Sequence, residues 1–227
     1  ILTPMAQAYA DSIPMLVVSS VNRSLRQGLG GDLHEVRNQG LMAAQASVFS
    51  HTPTHPAQLA EVMARAWAVF QGARPRPVHI EIPVDMFSAP ATDHDGYIGP
   101  TKIAASTPQA ASIAAAAQML KEAKAPLILS GGGAVGADLA ALAERLDSPV
   151  VMTTNARGIL PSEHPLAVPA SQSLTATQEL VAEADVVLAV GTEFGRTDYD
   201  MYDRGGFAVP GRLIRIDIDA EQVLAGV

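Results

Sequence analysis

The second half of the chain is the part that most restricts what it can fold into. Short apolar runs alternate there with helix-like segments: "PLILSGGG", "ADLAALAERLD", "PVVMTT", "ATQELVAEA", "DVVLAVG" and "GRLIRIDID". A brief run of Val, Leu and Ile bounded by turn residues is the pattern of a strand buried on both faces. Strands that alternate with helices need crossover connections and lie parallel in one sheet. An Ala-rich helix is predicted ahead of them over 107–125, with Thr107 as cap and Pro108 in its first turn.

The first half carries the same signals less regularly. "PMLVVSS" (14–20) reads as a buried strand. In "NRSLRQGLGGDLHEVRNQG" (22–40), Gly28, Gly30 and Gly31 make a loop, and "DLHEVRNQ" has the length of one or two helical turns. A helix is predicted over 56–71, opened by Pro56, with Leu59, Met63, Ala66, Trp67 and Phe70 at helical spacing. "PVHIEIP" (77–83) is a strand ended by Pro83, and residues 84–106 lose all periodicity, as a linker does. The chain opens as a helix already under way, with no methionine and no capping residue before Ile1, so it is expected to be a piece of something longer. The expected fold is therefore α/β, in two halves.

Composition narrows the function. An apolar fraction of 48% with 17% charged residues is that of a globular chain. The charge balance, 15 Lys+Arg against 23 Asp+Glu, gives −8. No basic run offsets it, which argues against a nucleic-acid partner. No apolar stretch approaches the roughly 20 residues of a bilayer span, so no membrane is expected. No secretory signal is visible, and the cytoplasm is the default location. The chain has no cysteine, which removes disulfides, thiolate metal sites and cysteine nucleophiles.

Ligands of an open parallel sheet bind beyond the carboxyl ends of its strands. Three such ends carry suitable residues: Gly131, Gly132 and Gly133 after "PLILS", Gly191 after "DVVLAV", and Asp217 and Asp219 in "IDID". Bare glycine N–H groups approach a phosphate closely, and a carboxylate binds ribose hydroxyls, so a nucleotide cleft is one reading. The other is that the glycines only make tight strand-to-helix turns, since "GGG" is not the G-x-G-x-x-G fingerprint. Of the histidines, His79 alternates within a strand and reads as structural, His94 falls in the linker, and His51 and His55 flank "TPT" before a helix, where cap-type hydrogen bonds account for them. No metal-ligand spacing is present and no metal site is assigned. His34 differs: it follows the glycine-rich loop and adjoins Glu35, an arrangement suited to acid/base work or to orienting a substrate.

Several longer strings, in order, carry a resemblance. "ILTPMAQAYADSIPMLVVSS", "GARPRPVHIEIPVDMF", "APLILSGGGA", "SPVVMTTNARGILPSEHPL", "ADVVLAVGTEFG" and "RLIRIDIDAEQV" resemble segments of the thiamine diphosphate-dependent 2-oxo acid enzymes, which include acetolactate synthases and decarboxylases. The resemblance runs essentially from Ile1 to Val227. It implies a partial parallel-sheet pyrimidine-binding domain (its C-terminal part, residues 1–90), a linker (91–105) and a nearly complete Rossmann-like central domain (106–227). It also implies thiamine diphosphate and Mg2+ as cofactors of the full-length enzyme, a small-molecule 2-oxo acid as substrate, and a homodimer or homotetramer. The family's catalytic glutamate and its GDG…NN diphosphate motif are absent from these residues, so the segment alone is expected to be inactive.

"GGDLHEV" is similar to the family segment where acetolactate synthases carry a Phe-Gln pair near the substrate; here the pair is Leu33–His34. The "LHE" form, with "ARPRPVHIE", most resembles the guanidino-2-oxopentanoate decarboxylase branch. The implied role of His34 is to orient the 2-oxo acid or to move a proton at the enamine stage, with Leu33 beside it. The central domain keeps Gly131–Gly133 and Thr153–Thr154 as candidate nucleotide contacts. It lacks the family's G-x-H-G around "LAVPASQS", and Glu193 stands where flavin-binding relatives have arginine. A carboxylate near a diphosphate costs Coulomb energy, which argues against FAD. Three functions follow as expectations: a 2-oxo acid decarboxylase or acetolactate synthase-like enzyme, a nucleotide-binding module, or a spacer domain with an empty cleft.

Overall fold

The computed structural model describes residues 1–27, 29–90, 103–104, 106–168, 171–199 and 207–224. His94 and Gly28 lie outside them. The chain divides into two compact units, Ile1–Ser106 and Thr107–Val227.

The first unit holds helix α1 (Leu2–Ala10), strand β1 (Leu16–Val21), helix α2 (Gln39–Ala44), the two-residue strand β2 (Ser50–His51), helix α3 (Gln58–Gly72) and strand β3 (Val78–Pro83). The sheet is parallel, in the order β1-β3-β2. Side chains alternate across it, so each face has its own cover. Leu16, Val78, Ile80 and Ile82 meet the apolar stripe of α3, in which Val62, Met63, Ala66, Trp67 and Phe70 recur at helical spacing. Val17, on the other face, packs with Met5 of α1 and with Ala43 and Ala46 at α2.

Two local expectations change here. The helical turns predicted within 32–39 form later, as α2, because Asn38 caps that helix through an Oδ1 that accepts the Leu41 N–H (2.7 Å). β2 has no apolar run to announce it, since it exists only through pairing with β3.

The second unit runs α4 (Ala110–Glu122), β4 (Pro126–Ser130), α5 (Leu139–Leu146), β5 (Val150–Met152), the short β6 (Ala167–Val168), α6 (Thr175–Glu183), β7 (Val186–Val190), β8 (Arg212–Ile216) and α7 (Ala220–Leu224). All pairings are parallel and the order is β6-β5-β4-β7-β8. The chain builds outward from β4 to β6, then returns to the other side of β4 with β7. That reversal makes the β4/β7 boundary the switch point of the sheet. β5 and β7 are buried throughout and β4 from Leu127 on, as continuous apolar strands must be when both faces are covered. Leu127, Leu129, Val151, Val187 and Ala189 face α6 and an aromatic group of Phe194, Tyr199 and Phe207. Ile128, Val150, Met152, Leu188 and Val190 face Leu139 and Ala143 of α5, with Leu120 of α4 packed against them. Helix α4 starts three residues later than predicted, with Gln109 as its N-cap and no side-chain cap bond.

Candidate functional site

The connection from β1 to α2 (residues 22–38) emerges at the carboxyl end of the first unit's sheet and carries Leu33 and His34. His34 is exposed and sits in the left-handed region (φ 59°), and Leu33 is 84% exposed. A left-handed non-glycine residue holds its side chain in a direction that an extended backbone does not give it. The connection is tied down internally. The Glu35 carboxylate accepts the Gly31 N–H (2.7 Å), and Asp32 accepts from Arg26 Nε and Asn22 Nδ2 (3.4 Å each).

Beneath α2 lies a polar group that sequence reasoning did not nominate as functional. Ser19, His79, Glu81, Ser50 and Thr52 continue the Val17 face of the sheet toward its carboxyl end. His79 is only 2% exposed, and both ring nitrogens are partnered: Nε2 with Ser19 Oγ (2.8 Å) and Nδ1 with Ser50 Oγ (2.7 Å). Burial lowers its pKa, and the charge of Glu81 opposes that shift. The neutral ring then donates through one nitrogen and accepts at the other, which matches two hydroxyl partners. Gln39, the first residue of α2, donates through Nε2 to Ser19 Oγ and the Ser20 carbonyl (2.9 Å each) and to Glu81 Oε2 (3.3 Å). Thr52 donates its hydroxyl to Glu81 Oε1. Histidine and glutamate at alternate positions of the apolar strand "VHIEIP" were the available signal. His55, one of the two histidines expected in cap-type bonds, accepts the Ala57 N–H at Nδ1 (3.2 Å).

In the second unit the candidate cleft residues gather at the carboxyl ends of β4, β5, β7 and β8. The Gly131 N–H donates to the Val190 carbonyl (2.9 Å), the Gly133 N–H to the Gly191 carbonyl (3.1 Å), and the Gly191 N–H to the Ile216 carbonyl (2.8 Å). Those three donors are therefore spent on neighbouring strand ends. A Cβ on Gly132 would stand 3.1 Å from Asn155 Cβ, which places the glycine loop beside the turn that follows Thr153. Thr153 is buried with its N–H on the Ser130 carbonyl (2.9 Å), and Thr154 is exposed. Asp217 Oδ1 accepts the Asp219 N–H (2.9 Å). Beyond β6, the Gln172 side chain is buried with its Nε2 unpartnered. Among the described residues no group of three His, Cys, Asp or Glu is placed to hold a metal ion, and no helix is long and apolar enough to cross a membrane.

Both units are parallel α/β sheets with polar and glycine-rich loops gathered at their carboxyl ends, where sheets of this class bind ligands. The family model "Thiamine pyrophosphate enzyme, central domain" matches residues 113–226. The chain belongs to the thiamine pyrophosphate-dependent enzymes.

It is 44% identical over 222 residues to a Pseudomonas aeruginosa protein named "Probable 2-ketoarginine decarboxylase AruI", covering 96% of this chain and 39% of that one. A sulfoacetaldehyde acetyltransferase of Castellaniella defragrans is 33% identical (98% of this chain, 38% of the relative). An acetolactate synthase large subunit of Corynebacterium glutamicum is 30% identical (98% and 36%). The chain thus spans less than two fifths of these relatives. A solved structure from Mycobacterium smegmatis, described as a thiamin diphosphate-dependent enzyme, shares the fold with a TM-score of 0.73 at 22% identity, over 99% of this chain and 44% of its own.

Proposed function

We propose that this chain is the segment of a thiamine diphosphate-dependent 2-oxo acid decarboxylase that presents Leu33 and His34 to the substrate. The observation that carries this reading is the left-handed His34 on an exposed connection at the carboxyl edge of a parallel sheet. Identity of 44% with a 2-ketoarginine decarboxylase, against 30% with an acetolactate synthase, favours decarboxylation over carboligation and a guanidino-bearing 2-oxo acid as substrate.

The residues present suit one side of a thiamine diphosphate site: Leu33 offers apolar surface and His34 an imidazole that donates or accepts. By the family resemblance, Mg2+ and the diphosphate are assigned to the GDG…NN motif, which these 227 residues lack. When bound, thiamine diphosphate supplies the electron sink that allows carbon dioxide to leave a 2-oxo acid. His34 Nε2 or Nδ1 donates a hydrogen bond to the substrate's carboxylate or 2-oxo oxygen and holds a proton at that point, and Leu33 excludes water beside it. Residues 1–90 act as part of the pyrimidine-binding domain and 106–227 as the central domain. A dimer or tetramer suits the apolar exposure of Leu25, Leu29, Leu33, Leu41 and Met42. The cytoplasm is the proposed compartment, with which a cysteine-free chain is compatible.

A second reading places a nucleotide in the central unit, with Gly131, Gly132, Gly133, Thr153, Thr154, Gly191 and Asp217 around it. The gathering of these residues at the carboxyl ends of β4, β5, β7 and β8, beside the switch point of the sheet, favours it. Glu193, two residues beyond Gly191, disfavours a flavin diphosphate there.

The test is decarboxylation by the natural-length protein loaded with thiamine diphosphate and Mg2+, using 2-oxo acids with guanidino, aliphatic and aromatic tails. Carbon dioxide release with the guanidino acid, and a fall of about 100-fold in kcat/KM for His34→Ala, are expected. No release from any of them ends the decarboxylase reading, and an unimpaired His34→Ala variant ends the assignment of His34. A nucleotide freed on denaturation would support the second reading, and a yellow one would count against the Glu193 argument.

A further inference from the structure

The connection that carries His34 is held at both ends by carboxylates of one strand and its continuation. At its start, Asp85 Oδ1 accepts the Ser24 N–H (2.9 Å) and the Ser24 hydroxyl (3.3 Å). At its end, Glu81 Oε2 accepts from Gln39 Nε2 (3.3 Å), while the same amide grips Ser19 and Ser20 at the end of β1. Glu81 lies directly under the first turn of α2: a Cβ on Gly40 would stand 2.9 Å from Glu81 Oε1. Glu81 lies in β3 and Asp85 in the turn of 3-10 helix (Val84–Ser88) that continues it.

Stability alone does not explain Glu81. A carboxylate only 6% exposed, satisfied by the neutral donors Gln39 and Thr52, incurs a desolvation cost that an apolar strand residue avoids. What the arrangement supplies is position. Both ends of residues 22–38 are referred to β3 and the turn that continues it, and the bonds of Asp32 and Glu35 brace the stretch between them.

We infer that Glu81 and Asp85 are positioning residues, a two-point clamp that fixes where the connection presents His34. The catalytic consequence rests on the role of His34 proposed above; the clamp itself does not. The experiment therefore has two arms, both on the natural-length protein. Hydrogen exchange of residues 22–38 reads the clamp directly. Asp85→Ala and Gln39→Met should each accelerate it about tenfold, with the exchange of α3 unchanged. Asp85→Asn retains an Oδ1 acceptor for Ser24 and should leave exchange near that of the wild type. Unchanged exchange in Asp85→Ala and Gln39→Met, or equal acceleration in Asp85→Asn, overturns the clamp.

Kinetics read its consequence. Asp85→Ala should lower kcat/KM about tenfold in the wild-type background and have no effect in a His34→Ala background. Equal losses in both backgrounds show that Asp85 does not act through His34 and overturn that part of the inference. If His34→Ala retains full activity, the assignment of His34 fails, while the exchange result still decides the clamp.

Discussion

Gly131 and Gly191 meet at the switch point of the second sheet so closely that a Cβ on Gly131 would stand 2.1 Å from the Gly191 carbonyl oxygen. The obstacle is backbone, which has no rotamer to escape into. Gly191 is itself left-handed (φ 57°), and a Cβ there would lie 2.5 Å from Gly133 Cα. The glycines therefore join two strand ends, whatever else the cleft does. Gly131→Ala should lower stability by about 3 kcal/mol, near the upper end of the usual cost of overpacking. Gly136, also left-handed (φ 90°) but with open space around it, should lose only about 1–2 kcal/mol as Gly136→Ala. Urea denaturation of the two variants checks the order, and equal losses would contradict the close approach.

The buried imidazole of His79 makes the first unit sensitive to acid. Its pKa is lowered chiefly by burial, so the unfolded chain takes up this proton at a higher pH than the folded one. Its share of stability is full above the usual imidazole value of about 6.5 and declines as pH falls below it. His79→Gln, which cannot titrate, should be less stable at neutral pH but show a flatter dependence between about pH 7 and pH 5. Fluorescence of Trp67, the only tryptophan in these 227 residues, follows the unfolding, because Trp67 packs against the same sheet.

Asp185 ties the start of β4 to β7. Its carboxylate accepts the Lys124 N–H (2.7 Å) and the Ala125 N–H (3.0 Å), and these two bonds hold its pKa below the usual carboxylate range. The stability it confers is present above the unfolded carboxylate value and is lost as pH falls through the lower native one. In Asp185→Ala the amides of Lys124 and Ala125 should exchange faster, while Asp185→Asn should protect one of them. Unaltered protection of both in Asp185→Ala would show that these bonds are not maintained in solution.

Tyr199 is buried in the aromatic group with its hydroxyl 2.8 Å from Thr192 Oγ1. Burial raises its pKa above the ordinary phenol range. Tyr199→Phe should cost about 1 kcal/mol, since the Thr192 hydroxyl loses this partner and is left with the longer bond from the Phe194 N–H (3.4 Å). In an alkaline titration followed by absorbance, this phenol should stay protonated until the unit unfolds. A full complement of tyrosines titrating in the native state would contradict its burial.

Most of the fold was legible. β3, β4, β5, β7 and β8 fall inside the runs read as strands, β1 runs one residue past its own, α3 follows the helical spacing that predicted it, and α6 forms where "ATQELVAEA" was read as a helix. β2 and β6 were not legible, because a two-residue strand has no pattern of its own and is created by its neighbour. The position of α2 was missed for a local reason: Asn38 captures the Leu41 N–H and sets the start beyond the segment that looked helical.

Of the candidate site, His34 stood out in the sequence because a histidine beside a glutamate follows a glycine-rich loop, and Leu33 only through the resemblance of "GGDLHEV" to its family segment. Gln39, Glu81 and Asp85 did not, because each is joined to its partners across a large sequence separation. Glu81 reaches Gln39 from 42 residues away and Asp85 reaches Ser24 from 61. The glycine-rich turns were visible too, but not that Gly131 and Gly133 spend their donors on Val190 and Gly191.

The sequence by itself determined the longer strands and helices, the parallel character of the second sheet and the loop that bears His34, because hydrophobic period and turn chemistry act over a few neighbouring residues. Only the tertiary structure decided which residues are buried together at the strand ends: the Ser19–His79–Ser50 chain, the Glu81–Gln39 contact, the Asp85–Ser24 bond and the meeting of Gly131 with Gly191. Parallel pairing brings distant segments into register through backbone hydrogen bonds, and the side chains it aligns carry no local sign of one another.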